Sequence, residues 1–203
     1  VPGDDSAACF FLAGAVASAG VVLLDGLLED SDQPDSVFRE WAISAGGFVR
    51  FEGGTLVAGR EPSVPLRAVV ADVDAAPDAA LPLAAMLAFA RGVSRLENAR
   101  RLREKESDRL AAARDLLERA GAVTSEDDGP ALVIDGERGV PRAGHFVSHA
   151  DHRVVMSAAV LALGLPEGSV VEGAEDVAKS YPRFFDDFEP LVQPLIEPHG
   201  IVA

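Results

Sequence analysis

The stretch Asp78–Gly92, DAALPLAAMLAFARG, opens with an acidic residue, continues as an apolar helix of small residues and stops at a glycine. A β-branched strand follows at once from Val93. The same order of features occurs in Asp5–Gly20 and in Asp151–Gly164. The acidic residues lie 73 positions apart in both steps, and the glycines lie 72 apart. Two independent landmarks with a constant spacing indicate an internal repeat.

Each unit continues with a second helix and two short strands. In the first unit the apolar spacing predicts a helix over Ser36–Ala45, which Gly46 and Gly47 stop. The unit is therefore strand, helix, strand, helix, strand, strand, used three times in one α/β domain, with units over about 1–66, 67–142 and 143–203. The first copy lacks an obvious opening strand and the last is cut short, so we expect chain outside this sequence to complete the domain. The other predicted elements are strands Phe48–Phe51 and Thr55–Val57, helix Ser107–Ala120, strands Ala122–Thr124 and Ala131–Ile134, and a helix near Tyr181–Leu191 before a tail ending at Ala203.

Composition excludes several classes of protein. A formal net charge of −15 argues against general affinity for nucleic acid or anionic membranes, which are polyanions. Cys9 is the only cysteine, so a disulfide framework and a thiolate metal cluster are excluded, and we expect it to be buried. The uncharged stretch Ala7–Leu24 is interrupted by glycines and preceded by acidic residues. It therefore predicts a buried helix and strand and not a membrane span or a signal peptide.

Positive charge is concentrated in one segment. Seven of the 18 lysines and arginines lie between Arg91 and Arg109. A solvated helix face is the ordinary interpretation of such a run, because acidic residues between the cations would balance them. Lys105–Arg109, however, is predicted to open a helix, where free N–H groups favour an anion. Lys105 and Arg109 would share a face with Glu106 at its edge, and a carboxylate among cations suits acid–base chemistry on an anionic substrate.

Two further charged groups occur at equivalent turns, Asp151-His152-Arg153 and Pro77-Asp78-Ala79. An isolated aspartate at a helix start is ordinarily only an N-cap. His145, His149 and His152 have a spacing that metal sites use, but no cysteine or fourth ligand lies nearby, so no metal is predicted. Lys179 precedes the last predicted helix, where a lone lysine is normally just solvated.

Four of these segments together resemble one family, the 5-enolpyruvylshikimate-3-phosphate synthases. Their order and spacing agree with that family from about Val1 to about Leu191, nearly the whole chain. The segments are Leu102–Leu110 for the K-E-[ST]-D-R signature, Asp151–Met156 for D-H-R-x-x-M, Val177–Phe185 for S-K-[TS]-[FY]-P-x-[FY]-F, and Pro77–Ala80 for P-D-A-A.

The resemblance implies transfer of the enolpyruvyl group of phosphoenolpyruvate to the 5-hydroxyl of shikimate 3-phosphate, with release of phosphate and no metal or organic cofactor. The family fold has two domains of three βαβαββ units each, so residues 1–203 would be the C-terminal domain, with the N-terminal domain absent. We expect this half to be inactive alone. The enzyme would be cytoplasmic and monomeric, and its partners would be the two substrates and the missing domain.

Roles follow from the resemblance position by position. Asp78 would contact the attacking hydroxyl and accept its proton. Lys105 would hold the shikimate side. Arg109 and Arg153 would bind phosphoenolpyruvate, whose carboxylate and phosphate suit bidentate guanidinium groups.

The remaining roles concern proton transfer. Glu106 and Lys179 would move protons to and from the methylene carbon and the leaving phosphate, with His152 beside them and also binding substrate. One departure from the family pattern occurs at Arg101, where some members have asparagine. Two alternatives remain open: a UDP-N-acetylglucosamine enolpyruvyl transferase, against which the Lys105–Arg109 motif argues, and a non-catalytic anion-binding domain.

Overall fold

Six α-helices and nine β-strands make up the part of the chain that the computed structural model describes, residues 3–127, 129–165 and 167–192. Short 3-10 helices at Pro34–Val37, Pro77–Ala79, Ala99–Glu104 and Ala174–Lys179 connect some of them. The α-helices are α1 (Asp5–Ala17), α2 (Phe38–Ser44), α3 (Ala80–Leu87), α4 (Arg109–Arg119), α5 (His152–Leu163) and α6 (Phe184–Val192). The strands are β1 (Val21–Leu24), β2 (Phe48–Glu52), β3 (Thr55–Gly59), β4 (Val70–Asp72), β5 (Val93–Glu97), β6 (Val123–Glu126), β7 (Leu132–Asp135), β8 (His145–Val147) and β9 (Val170–Glu172).

The helices of the three repeated stretches, α1, α3 and α5, pack against one another at the centre. All eight residues of α3 are buried, and most of α1 and α5 is buried as well. A helix that is apolar all round has no face for solvent and must be covered on every side. Alanine and glycine let such helices approach closely, so the small-residue pattern accounts for the mutual packing of α1, α3 and α5.

The three sheets are versions of one strand arrangement. Their orders are β1-β3-β2, β4-β5-β7-β6 and β8-β9. Antiparallel pairs join β1 to β3 and β3 to β2 in the first sheet, and β5 to β7 and β7 to β6 in the second. Parallel pairs join β4 to β5 and β8 to β9. The second sheet thus combines the antiparallel pairings of the first sheet with the parallel pairing of the third. The predicted α/β fold of repeated βαβαββ units is confirmed.

Strand register repeats as well as strand order. Val21 and Phe48 both pair with Gly59, and in the second unit Val93 and Val123 both pair with Asp135. A Cβ added to Gly59 would lie 2.1 Å from the Gly20 carbonyl oxygen, and one added to Gly136 would lie 1.8 Å from that of Ala90. Only glycine permits so close an approach of two backbones, so both units need it where the last strand passes the end of the helix.

The first and third sheets are smaller than the second. Within the described residues, β1 has no parallel neighbour corresponding to β4, and β9 has no antiparallel neighbour corresponding to β7. Val21 and Val170, on these two strands, are 53% and 63% exposed. These are the units for which the sequence predicts a missing opening strand and a shortened end. The predicted tail that ends at Ala203 lies outside the described residues.

The acidic residues Asp5, Asp78 and Asp151 all lie at helix starts, but their local positions differ. Asp151 is the N-cap of α5. Asp4, not Asp5, caps α1, and the buried Asp5 pairs with Arg39 at 2.6 Å. Asp78 lies in the 3-10 turn before α3 and caps nothing. Equal spacing therefore correctly predicts that each residue lies at the start of a helix, but it does not predict which hydrogen bonds the residue makes.

The N-terminal apolar stretch forms a buried helix and a strand, as predicted. Cys9 is 2% exposed, and its Sγ lies 3.1 Å from the Asp5 carbonyl oxygen. Burial raises the pKa of the Cys9 thiol well above its ordinary value, so the thiol stays protonated at neutral pH. In the described part of the chain, every helix is too short or too polar to cross a membrane.

Candidate active site

Arg109 is the largest fully buried side chain of the described residues and lies at the centre of a charged cluster. Its Nε donates to Asp151 Oδ2 over 2.8 Å, and one terminal nitrogen donates to Asp78 Oδ1 over 2.7 Å. The other terminal nitrogen donates to Glu106. We call these four residues the Arg109 cluster. A guanidinium that is 1% exposed needs such partners, because an unpaired buried charge costs several kcal/mol.

Asp151 is the buried carboxylate of this cluster. It is 0% exposed, and it accepts from the Arg153 N–H over 2.9 Å and from the Ser107 hydroxyl over 3.0 Å. Burial alone would raise the pKa of Asp151, but the hydrogen bond and charge of Arg109 outweigh burial and hold the pKa below its ordinary value. The sequence predicts that Asp151 opens a helix, where an N-cap is the ordinary role of an aspartate, and Asp151 is the N-cap of α5. Its pairing with Arg109 joins positions 42 apart, which no local pattern shows.

Three cations converge on Asp78. Besides Arg109, Lys105 Nζ lies 3.1 Å from Asp78 Oδ1, and an Arg153 terminal nitrogen lies 3.2 Å from Oδ2. Burial raises the pKa of Asp78, but the charges of Arg153, Lys105 and Arg109 outweigh it and the pKa is lowered. The carboxylate is 32% exposed, so it faces solvent while cations surround its other sides.

Lys105 and Glu106 precede α4 and are not part of it. Their predicted place in the opening turn of a helix, with Arg109 on the same face, is therefore wrong. Asp108 caps α4 by accepting from the Ala111 N–H over 3.0 Å, and α4 begins only at Arg109. Lys105 has extended backbone, with φ −112° and ψ −162°. The turn between the 3-10 helix and α4 brings these side chains to Asp78 and Arg109.

The described contacts of Lys179 are with residues outside the Arg109 cluster. Its Nζ donates to the Ala150 carbonyl over 2.7 Å and lies 2.9 Å from Asp176 Oδ1. We call this group the Lys179 cluster. No described contact joins Lys179 to Asp78, so the predicted site residues form two groups. Ala150 contacts Lys179, and the next residue, Asp151, contacts Arg109, so the backbone of the β8–α5 turn links the two clusters.

His152 occupies the first turn of α5 and is 7% exposed. Burial lowers the pKa of its ring, and the charge of Arg153 adds to that effect, so His152 is neutral at pH 7. Its Nδ1 is buried without a hydrogen-bond partner within the described residues. Arg153 is 14% exposed, and its guanidinium lies 6.0 Å from the ring centre of Phe10.

The other candidates from the sequence have separate places. His145 lies 3.4 Å from Glu172, and His149 lies 2.9 Å from Asp115, so neither approaches His152 as a common ligand set. Among residues 3–127, 129–165 and 167–192, no group of three or more histidines, cysteines and carboxylates could hold a metal ion. Arg101 donates to the Asp74 carbonyl over 2.7 Å, in the loop that leads to Asp78.

Charge in the site is balanced before any ligand binds. Three cations face three carboxylates, and the latter differ widely in exposure: Asp151 is 0%, Asp78 is 32% and Glu106 is 52% exposed. Each guanidinium has five N–H donors, and the described contacts of Arg109 use three of them. An anion can therefore be bound where the exposed carboxylates give way, while Asp151 keeps Arg109 in place.

Comparison with known proteins identifies the family of this chain. The family profile named EPSP synthase (3-phosphoshikimate 1-carboxyvinyltransferase) matches residues 1–188. The chain is 44% identical to the 3-phosphoshikimate 1-carboxyvinyltransferase of Aeropyrum pernix, over 94% of the chain and 43% of that relative. It is 38% identical to the same-named protein of Thermococcus kodakarensis, over 95% of the chain and 46% of the relative.

Solved structures give the same result. An EPSP synthase from Acinetobacter baumannii has a TM-score of 0.77 at 27% identity, covering 94% of this chain and 46% of its own. An enolpyruvyl transferase from Streptomyces tendae shares the fold, with a TM-score of 0.71 at 19% identity over 94% of this chain and 43% of its own. The chain spans about half the length of the curated relatives it matches. It belongs to the EPSP synthase (3-phosphoshikimate 1-carboxyvinyltransferase) family.

Proposed function

We propose that this chain forms one half of an enzyme that transfers the enolpyruvyl group of phosphoenolpyruvate to the 5-hydroxyl of shikimate 3-phosphate, releasing phosphate. The observation that carries the proposal is the convergence of Lys105, Arg109 and Arg153 on the partly exposed Asp78. Both substrates carry a phosphate and a carboxylate, which suit a site with several fixed cations. In this reaction a new bond forms from the hydroxyl oxygen to the enol carbon, and the bond from that carbon to the phosphate oxygen breaks.

Asp78 is the proposed acceptor of the hydroxyl proton. In the structure its pKa is lowered, which makes it a weak base. A bound phosphate would take up part of the positive charge of Lys105 and Arg153 and would thereby raise the pKa of Asp78. Substrate binding and activation of the base are thus coupled through the same cations.

Glu106 and Lys179 are the proposed proton carriers at the methylene carbon and the leaving phosphate. They are 52% and 50% exposed, so each can move through solvent toward a ligand. When Glu106 moves, the buried Arg109 keeps Asp78 and Asp151 as partners. Arg109 and Arg153 are the proposed phosphoenolpyruvate ligands. Arg109 becomes accessible only when Glu106 turns away. Phosphoenolpyruvate would therefore bind Arg109 as Glu106 leaves it.

The matched relatives are about twice as long as this chain, and a reaction between two substrates depends on holding both in attack geometry. Such positioning is worth roughly 7–11 kcal/mol of the barrier. We therefore predict that this chain alone gives no turnover. We also expect that the complete enzyme is a cytoplasmic monomer without a metal or organic cofactor.

A chimera tests the proposal. This chain would replace the matched 43% of the Aeropyrum pernix relative, and phosphate release from phosphoenolpyruvate and shikimate 3-phosphate would be measured. We expect turnover by the chimera, none by this chain alone, and a loss of about 10²–10⁴-fold in the Asp78→Asn chimera. The unaltered relative is the control.

Three results would contradict the proposal. Turnover with UDP-N-acetylglucosamine but not with shikimate 3-phosphate would assign the chain to the other acceptor. A folded chimera without turnover would favour a non-catalytic anion-binding domain. Equal turnover by the Asp78→Asn chimera would remove Asp78 from the mechanism.

A further inference from the structure

The turn between β8 and α5 contains two consecutive residues in the left-handed region. His149 has φ +52° and Ala150 has φ +55°. Within the described residues, the other non-glycine residues with positive φ, Ala19 and Asn98, stand singly. Residues other than glycine rarely adopt this backbone conformation, and it persists only where the surrounding contacts hold it.

Ser148 holds one side of this turn. Its hydroxyl donates to Asp176 Oδ2 over 2.8 Å and accepts from the Ala150 N–H over 3.1 Å. The Ser148 N–H donates to the Glu172 carbonyl over 3.0 Å. These bonds fasten the beginning of the turn to β9 and to the 3-10 helix that carries Lys179.

His149 holds the other side. Its Nε2 lies 2.9 Å from Asp115 Oδ2, on α4, and the Asp115 carboxylate also accepts from Arg119 Nε over 2.7 Å. Burial raises the pKa of Asp115, but the hydrogen bonds from Arg119 and His149 outweigh it and the pKa is lowered. The carboxylate is therefore ionised at neutral pH and His149 Nε2–H is the donor. This bond ties the turn to the helix that begins at Arg109.

The turn determines where the Ala150 carbonyl points. That oxygen accepts from Lys179 Nζ over 2.7 Å, and the next residue, Asp151, accepts from Arg109. Relaxation of Ala150 to an ordinary backbone conformation would rotate the carbonyl away from Lys179. A lysine has a long flexible side chain, and here the carbonyl and Asp176 are the contacts that fix its ammonium group.

We propose that His149 is a positioning residue: through its bond to Asp115 it holds the left-handed turn in which the Ala150 carbonyl fixes Lys179. The role of Lys179 in the reaction rests on the proposed function, but the geometric link from His149 to Lys179 does not. The matched control is His145, a histidine on β8 that is 58% exposed and contacts Glu172 outside the turn.

The test uses this chain and its variants alone, without the chimera, and does not need activity. Lys105 and Lys179 are the only lysines of the sequence, so amine acetylation followed by mass spectrometry reports on each separately. We expect His149→Ala to raise the acetylation rate of Lys179 roughly fivefold, as loss of one hydrogen bond would. Lys105 should keep its rate, which also shows that the variant is folded. His149→Gln, whose amide N–H can take the place of Nε2–H, should restore most of the protection, and His145→Ala should leave it unchanged.

Asp115→Leu removes the same bond from the other partner, so it should raise the Lys179 rate equally, and the double variant should add nothing. In an active chimera, His149→Ala should lower kcat with little change in KM. An unchanged Lys179 rate in both single variants, or an equal effect of His145→Ala, would overturn the proposal. An inactive chimera would count against the proposed function alone, because the acetylation result stands without it.

Discussion

Arg109 is 1% exposed and donates to three carboxylates, whereas Lys179 is 50% exposed and is held by one carboxylate and one carbonyl. Both belong to the same proposed site and carry the same charge. Arg109 has given up its hydration and depends on protein partners, while Lys179 keeps solvent as an alternative partner. The free energy of a buried charge is therefore set by the fold, and that of an exposed charge is largely set by water.

This difference separates two kinds of contribution to a site. A buried guanidinium that a buried carboxylate holds, as Asp151 holds Arg109, stays in place when substrate charge appears, although the exposed Glu106 turns away. An exposed ammonium can move and exchange protons. Mutation of Arg109 or Asp151 should thus act mainly through stability, and mutation of Lys179 mainly through chemistry.

The largest expected effect on stability comes from Arg109→Met. This change leaves Asp151 buried without its cation, which costs about 3–5 kcal/mol. Urea unfolding followed by circular dichroism measures the loss. Arg103→Met is the control, because Arg103 is 40% exposed and its pairs with Asp108 and Glu126 should contribute no more than about 1 kcal/mol.

A second variant sharpens this result. Arg109→Met combined with Asp151→Asn removes both charges, and it should be more stable than Arg109→Met alone because no uncompensated charge remains. A loss below about 1 kcal/mol in Arg109→Met would show that the burial of Arg109 is not coupled to folding.

An intermediate effect is expected from pH. The pKa values of Asp78 and Asp151 are lowered in the folded chain, so their contribution is fully present above the ordinary aspartate pKa and is lost as pH falls through the folded values. Stability should therefore fall below about pH 4. Asp35, whose pKa burial raises, works in the opposite direction and reduces the net slope.

Urea midpoints measured across that acid range test the assignment. Asp151→Asn should flatten the dependence on pH more than Asp176→Asn does. Asp151 and its partner Arg109 are 0% and 1% exposed, whereas Asp176 is 19% exposed and its partner Lys179 is 50% exposed, so solvent screens that pair more. An equal or larger effect of Asp176→Asn would contradict the distinction between the two clusters.

The smallest expected effect on stability comes from Lys179→Met. An exposed lysine with one ion pair contributes about 0–1 kcal/mol, so the unfolding midpoint should hardly move. In an active chimera the same change should lower turnover by about 10²–10⁴-fold. A stability loss as large as that of Arg109→Met would show that Lys179 is structural, and unchanged turnover would remove it from proton transfer.

Local patterns in the sequence predict the helices and strands well, because hydrophobic period and stop signals act over a few residues. The strand at Val21–Leu24 and the helix ending before Gly164 agree with the sequence analysis. The pattern predicts a helix over Ser107–Ala120, but the observed helix begins two residues later, at Arg109. Ser107 and Asp108 favour cap conformations, in which the side chain competes for the first N–H groups, and this delays the helix to Arg109.

The site was predicted less completely than the fold. Asp78, Lys105, Glu106 and Arg109 are brought together, although by a turn and not by a helix face. The contacts of Lys179 with Ala150 and Asp176 and the pairing of Arg109 with Asp151 have no signal in the spacing. The pairing of Arg109 with Asp151 depends on how the second and third units pack, which a pattern within one unit does not contain.

The sequence by itself determined the repeat, the apolar central helices and the candidate charged residues, because periodicity, composition and motif order are properties of the chain alone. The tertiary structure alone decided that Arg109 is buried, that Asp151 and not only Asp78 neutralises it, and that the turn of His149 and Ala150 directs a carbonyl to Lys179. The physical reason is that desolvation and ion pairing depend on atoms distant in sequence.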